Sequence, residues 1–146
     1  MNAVMEAIVS RRSVRAFEKK ELPAEALEEI LKAATYAPSG KNQQTWQFTV
    51  VKSCEKIKQL AGLVETELNR PGYNMYEPEV IIIPSNDRES PFGMEDNACA
   101  MENIFLAAWI AVLIFSIVFT SDLGMMRETL NLGVPPWIAL GSQQLR

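Results

Sequence analysis

The sequence predicts an α+β domain, because segments with helical periodicity alternate irregularly with short β-branched segments. Two further observations favour a single globular domain. The chain has 146 residues, a common domain length, and 48% of them are hydrophobic, which suits a packed core. Neither repeats nor Gly/Ser-rich linkers divide the sequence. We therefore expect one domain over residues 1–146.

Three helices are predicted in the first half of the chain. Apolar residues at positions 4–9 form one face of a short first helix that ends near a group of arginines. The second helix has Pro23 in its first turn and stops before Pro38. The third starts near Ser53 and is expected to bury apolar side chains as far as Leu68.

Strands are predicted where branched and aromatic residues cluster. Residues 46–51 alternate in polarity, and residues 80–83 form a short apolar run typical of a central strand. Further along, residues 114–119 are β-branched, residues 123–132 predict a helix, and residues 137–140 predict a last strand.

One apolar run allows two interpretations. Residues 103–121 contain no charge, and a span of about 20 such residues can cross a bilayer. However, Lys and Arg do not flank the run closely, and its first half is helix-like whereas its second half is β-branched. We favour a fully buried helix followed by a core strand, with a membrane-spanning or partner-binding helix as the alternative.

The chain contains no histidine, which excludes several reaction classes. Ser-His-Asp and Cys-His mechanisms need an imidazole that exchanges protons near neutral pH, and common zinc and iron sites use imidazole ligands. If the chain is an enzyme, we expect its reactive atoms to belong to a cofactor, a carboxylate, a lysine or a cysteine. The net charge of −4 argues against general nucleic-acid binding.

Cysteine usage indicates a reducing compartment. Cys54 and Cys99 have neither CxxC spacing nor a preceding signal peptide, so we expect two free thiols and a cytoplasmic protein.

A basic cluster lies within this acidic chain. Residues 11–20 hold five basic side chains and one acidic one, and the segment RRSVRAF presents three guanidinium groups and a serine hydroxyl. Guanidinium groups bind phosphate in a bidentate manner. If this turn is helical, Arg11 and Arg15 share a face. The alternative is a solvated basic turn paired with Glu18 or Glu21.

A second polar segment, APSGKNQQTW, lies between a helix and a strand. Pro38 and Gly40 favour a tight turn, and its side-chain amides both donate and accept hydrogen bonds. Such groups suit a polyhydroxyl chain or the edge of a heteroaromatic ring, although an ordinary turn has a similar composition.

Three carboxylates surround the start of the long apolar helix: Glu95, Asp96 and Glu102. They could form a paired-carboxylate or cation site, but no ligand spacing supports one. The favourable effect of acidic residues near a helix N-terminus already explains them. We expect no metal.

These segments together resemble the nitroreductase family of FMN-dependent oxidoreductases, in its short single-domain members. The resemblance rests on the order RRSVRAF, LEEILKAATYAPSGKNQQTWQF, VIIIPSND and GMEDNACAMENIFLAA, and covers roughly residues 4–108. It implies an α+β fold with a sheet flanked by helices, and an intertwined homodimer with FMN at the subunit interface. The long apolar helix would then form the dimer core.

The resemblance also implies roles for particular residues. The family's RRSxR element holds the FMN phosphate and the pyrimidine edge of the flavin, which here corresponds to Arg11, Arg12, Ser13 and Arg15. Its PSxxNxQ turn, contributed by the partner subunit, contacts the flavin and the ribityl chain, which here corresponds to Pro38, Ser39, Gly40, Asn42 and Gln44.

The implied activity is hydride transfer from NADH or NADPH through flavin N5 to a nitroaromatic, a quinone or a similar electrophile. No side-chain acid or base is obligatory, which agrees with the absence of histidine. Two features depart from the family pattern. No glycine lies between Gly93 and Gly124, and the usual carboxyl-terminal arm is reduced to one basic candidate, Arg146. A flavin-binding protein without efficient turnover is therefore an alternative.

Overall fold

The computed structural model describes residues 1–17 and 19–110 of the chain. In this part of the chain, four helices, two strands and one 3₁₀ turn follow one another. They are α1 (Ala3–Ser10), α2 (Ala24–Thr35), the 3₁₀ turn (Gly40–Asn42), β1 (Gln47–Val51), α3 (Cys54–Glu67), β2 (Ile81–Ser85) and α4 (Gly93–Ile110). The predicted elements at 114–119, 123–132 and 137–140 lie outside the described residues, as does Arg146.

Local sequence determines where the helices begin. The Asn2 side chain accepts a hydrogen bond from the Met5 amide at 2.9 Å, which caps α1. Ser53 caps α3 in the same way through the Lys56 amide. Helix α2 starts directly after Pro23, whose fixed φ of −57° suits the entry to a helix. The three helices predicted in the first half of the chain are confirmed.

The two strands form an antiparallel pair in which Thr49 lies opposite Ile83. All five residues of β2 are buried, whereas Val50 is the buried residue of β1. Strand β2 starts and ends slightly later than the predicted segment 80–83 and is buried on both faces. Within the described residues its strand neighbour is β1, and the expected central position stays a prediction.

Strand β2 lies between two layers of helices. Because successive side chains of a strand point to opposite faces, it contributes to the packing on both sides. Ile82 belongs to a cluster formed mainly by α2 and α4, whereas Ile81 and Ile83 pack in a second cluster with α3. From α2 and α4 the first cluster takes Leu27, Ile30, Leu31, Ala34, Ala100, Met101, Ile104 and Ala108. The arrangement confirms an α+β fold with helices on both sides of the sheet.

One burial expectation was wrong, whereas another stays a prediction. Within a single chain, α4 is buried on one face against α2, while Met94 is 71% and Ile110 68% exposed; the expected burial of the apolar run 103–121 also involves a partner subunit and residues outside the described part. Within the described residues α4 has one main helical neighbour, so a single stripe is covered. The wrong expectation concerns Leu68, which is 52% exposed: it follows the last residue of α3, and Leu60 and Ala61 are the last residues of that helix with buried side chains.

The described residues contain no helix that is both long and apolar enough to cross a membrane. Residues 111–121 of the apolar run lie outside this part of the chain.

Replacing the buried Ile104 with alanine should strongly destabilise the fold. Ile104 is fully buried between α4 and α2, so Ile104→Ala is expected to lower the free energy of unfolding by about 2–5 kcal/mol. Met94→Ala, on an exposed position of the same helix, should change it by less than about 0.5 kcal/mol. Urea unfolding followed by circular dichroism measures both variants. Similar losses would show that the α2–α4 contact is not the core.

Candidate functional site

The basic segment RRSVRAF follows α1 without forming a further helical turn. Helix α1 ends at Ser10, and Arg11 has φ −51° and ψ 137°. The helical alignment of Arg11 with Arg15 considered above is therefore not formed.

Arg11 lies against α4. Its guanidinium carbon is 5.9 Å from the centre of the Phe105 ring, a cation–π distance. Its Nε atom is buried and has no hydrogen-bond partner among the described residues. An unpartnered buried donor is costly, which makes this atom a natural contact for an anion.

Arg12 has a structural role that the sequence did not indicate. Its Nη1 atom donates to the carbonyl oxygens of Val9, Ser10 and Arg11 at 2.8, 3.2 and 2.9 Å. These carbonyls lie at the carboxyl end of α1, where a cation is favourable. Arg12 therefore caps the helix with one nitrogen. Ser13 and Arg15 are exposed, so their polar groups are accessible to a ligand.

Trp109 fixes the junction between α1 and the basic segment. Its indole Nε1 donates to the hydroxyl oxygen of Ser10 at 2.8 Å, and that hydroxyl donates to the Glu6 carbonyl at 2.6 Å. Together with the contact between Arg11 and Phe105, this bond anchors the basic segment on the last turns of α4.

The polar turn at residues 38–44 is anchored at the other end of α4. Asp96 is buried and accepts hydrogen bonds from the Ser39 hydroxyl at 2.8 Å and from the Gly40 amide at 2.9 Å. The Ser39 hydroxyl oxygen also accepts a hydrogen bond from the backbone N–H of Gln44 at 2.9 Å. These bonds fold the turn tightly onto the first turn of α4.

Three residues of this turn adopt positive φ although none is glycine. Lys41, Asn42 and Gln44 have φ of 54°, 55° and 51°. Such backbone costs about 1–3 kcal/mol per residue and persists only where surrounding contacts enforce it, often at functional sites. Asn42 tolerates it best because asparagine is favoured in this region.

Gly40 is required for a close contact, and its φ is not positive. A Cβ atom on Gly40 would overlap the Phe92 ring, closer than carbon atoms approach. Phe92 therefore covers the turn directly at Gly40, and the Lys41 amine lies 6.0 Å from the same ring.

The two anchored segments lie well apart along α4. Asp96 and Phe105 are nine residues apart in the sequence, which corresponds to about 14 Å along a helix axis. The structure thus places both predicted segments on one helix without joining them.

Asp96 is the main site residue whose role sequence reasoning missed. The helix-dipole explanation accounts for an acidic residue at this position, and it applies equally to Glu95. Only the tertiary contact distinguishes the buried Asp96 from the exposed Glu95. Within residues 1–17 and 19–110, no group of three or more His, Cys, Asp or Glu side chains could hold a metal ion.

Comparison with known proteins decides the family. The model of the nitroreductase family matches residues 8–133. The chain belongs to the nitroreductase family. This match confirms the resemblance stated on the motifs, and it includes both anchored segments.

Individual nitroreductase relatives support the assignment. A protein of Archaeoglobus fulgidus, provisionally named an NADH dehydrogenase/NAD(P)H nitroreductase, is 34% identical over 110 residues, which cover 74% of this chain and 62% of that protein. A nitroreductase with bound FMN from Bacteroides fragilis is similar in structure, with a TM-score of 0.76 and 32% identity, covering 92% of this chain and 82% of that one. An iodotyrosine deiodinase of Haliscomenobacter hydrossis is 42% identical over 60 residues, which cover 39% of this chain and 27% of that protein. The chain thus spans about three fifths of the length of its Archaeoglobus relative.

Gly40→Ala should destabilise this nitroreductase domain, because the new methyl group collides with the Phe92 ring. Overpacking of this kind costs about 1–3 kcal/mol. Gly62→Ala is the matched control: Gly62 lies in α3 with open space around its Cβ position, and alanine should stabilise the helix there by about 0.5–1 kcal/mol. Thermal unfolding should move in opposite directions for the two variants. A stability gain in both would mean that Phe92 does not cover the turn.

Proposed function

We propose that the chain binds FMN and acts as an NAD(P)H-dependent oxidoreductase on nitroaromatic, quinone or similar electrophilic acceptors. The observation that carries the proposal is that the chain belongs to the nitroreductase family. In addition, an accessible basic segment and a strained polar turn are both anchored on α4. The FMN bound to the Bacteroides relative supports the choice of cofactor.

The residues present suit FMN. We assign the phosphate and the pyrimidine edge of the flavin to the basic segment, comprising Arg11, Arg12, Ser13 and Arg15. We assign the flavin and the ribityl chain to the polar turn, comprising Pro38, Ser39, Gly40, Asn42 and Gln44. The unpartnered Nε of Arg11 supplies a donor of the kind that an anionic group needs.

When bound, FMN supplies the redox chemistry by taking a hydride from NADH or NADPH and passing electrons to the acceptor. The chain itself binds and orients the ring. A guanidinium group near the flavin edge would stabilise negative charge that develops on reduction. No side chain has to transfer a proton near neutral pH, which is compatible with a chain that lacks histidine.

We also propose a homodimer in which the partner's polar turn completes the site. The separation of about 14 Å along α4 between the anchors of the two segments is compatible with this arrangement. The apolar face of α1 supports it. Val4 is 65%, Met5 45%, Ile8 45% and Val9 48% exposed, which is unusual for four apolar side chains on one helix unless another surface covers them.

The remaining features of the proposal concern organisation and location. We assign residues 1–146 to a single FMN-binding domain. A cytoplasmic location is supported by two free cysteines, one of them exposed, since thiols persist in a reducing compartment.

Visible absorption of the purified protein tests the function. Protein incubated with FMN and desalted should keep the flavin bands, which should bleach on addition of NADH or NADPH and return with a nitroaromatic, a quinone or iodotyrosine. FMN that is retained but not reduced by either nicotinamide would favour a flavin-binding protein without turnover. Protein that retains no FMN would contradict the proposal.

Arg15→Ala should weaken FMN binding in the same assay. Arg15 is exposed, and a charge-assisted hydrogen bond is worth about 1.5–3 kcal/mol, so the FMN dissociation constant should rise about tenfold or more without a loss of stability. Arg70→Ala removes the same charge from an exposed position outside the basic segment and serves as the control. Equal effects of the two variants would contradict the phosphate assignment.

Ile8→Glu should dissociate the proposed dimer, because it places a charge in the centre of the exposed face of α1. Analytical ultracentrifugation should show a dimer for the unaltered protein and a monomer for the variant. Leu68→Glu, at an apolar position of similar exposure after α3, should remain dimeric. A monomeric unaltered protein would overturn the dimer assignment.

A further inference from the structure

Both carboxylate oxygens of Asp96 accept hydrogen bonds from the polar turn at residues 38–44. Asp96 is 3% exposed, and its Oδ2 and Oδ1 atoms accept from the Ser39 hydroxyl and the Gly40 amide. Hydrogen bonds to an ionised carboxylate are stronger than those between neutral groups. A side chain in this position restrains the segment that it contacts.

Ser39 extends this restraint to the far side of the turn. A serine hydroxyl has a single proton, which Ser39 donates to Asp96. The Ser39 oxygen in turn accepts a hydrogen bond from the backbone N–H of Gln44. The Gly40 amide proton is also used by Asp96. Neither Ser39 nor Gly40 therefore has one of these protons left to offer to a ligand.

Asn42 and Gln44 differ from Ser39 and Gly40 in how their polar groups are used. Both are exposed, both adopt positive φ, and their side-chain amides take part in no hydrogen bond with a described residue. Each amide retains two donor protons and an acceptor oxygen. The turn is thus divided into restrained residues and residues with unused polar groups.

We infer that Asp96 is a positioning residue: by holding Ser39 and Gly40 it fixes the backbone from which Asn42 and Gln44 contact the flavin. The inference rests on the proposed function. It refines the site assignment, because Ser39 and Gly40 then act mainly by shaping the turn, whereas Asn42 and Gln44 supply the polar contacts to the ligand.

Glu95 provides a matched control for Asp96. It is the preceding residue in the first turn of α4, it carries the same charge, and it is exposed. Loss of either carboxylate removes a similar interaction with the helix N-terminus. Only Asp96 contacts the turn, so a difference between Asp96→Ala and Glu95→Ala isolates that contact.

The first measurement is the affinity for FMN, obtained by fluorescence titration of the folded variants. Asp96→Ala should raise the FMN dissociation constant about tenfold, and Glu95→Ala by less than about twofold. The dissociation constant of Asp96→Asn should fall between those of the two alanine variants. The oxygen of the new side-chain amide can still accept from the Gly40 N–H, and its nitrogen can donate to the Ser39 hydroxyl oxygen. Equal affinities of Asp96→Ala and Glu95→Ala would overturn the inference.

The second measurement is amide hydrogen exchange by NMR in the absence of FMN. Asp96→Ala should accelerate exchange at Gly40 and Gln44 by about tenfold or more while leaving Leu60 of α3 unchanged, because the opening is local. A general loss of structure would accelerate all three amides. Unchanged exchange at Gly40 and Gln44 would overturn the inference.

A further variant keeps the test decisive if Asp96→Ala does not fold. Ser39→Ala removes only the hydroxyl, and it should accelerate exchange at Gln44 and not at Leu60; an unchanged Gln44 rate would overturn the inference. Unaltered protein that binds no FMN would contradict the proposed function, and the exchange rates of the Asp96 variants then decide by themselves whether Asp96 holds the turn.

Discussion

The packing of α2 against α4 is the constraint on which the candidate site depends. Ala34 and Ala100 are fully buried at this contact, and their small side chains let the two helices approach closely. The Asn103 side chain donates to the Ala33 carbonyl at 2.9 Å, which fixes the end of α2 against α4. Because α2 leads directly into the polar turn, a fixed α2 also fixes where that turn begins.

Helix α4 supports both segments of the proposed FMN site. Its first turn holds the polar turn through Asp96, and its last turns hold the basic segment through Phe105 and Trp109. A helix is rigid along its axis, so the distance between the two segments is set by the number of residues between their anchors. Each segment is therefore held in place before a ligand arrives, which reduces the entropy lost on binding.

The buried charge of Asp96 is compatible with this design. An ionised carboxylate is costly in a buried position unless hydrogen bonds and charges compensate it. Asp96 receives two hydrogen bonds and lies at the positive end of the α4 dipole. The two hydrogen bonds that Asp96 accepts also hold the polar turn in place. They therefore help to maintain the unfavourable backbone of its three residues with positive φ.

The sequence alone predicted the helices and strands of the described residues and the resemblance to the family. Periodicity, capping residues and proline positions are local properties, and the RRSxR and PSxxNxQ patterns are read directly from the chain. Tertiary structure decided which polar groups are available to a ligand. Arg12 became partly a helix cap, Ser39 and Gly40 became restrained by Asp96, and α4 was covered on one face. These outcomes depend on contacts between residues as far as 99 positions apart, as between Ser10 and Trp109, and local sequence preferences carry no information about which distant donor meets which acceptor.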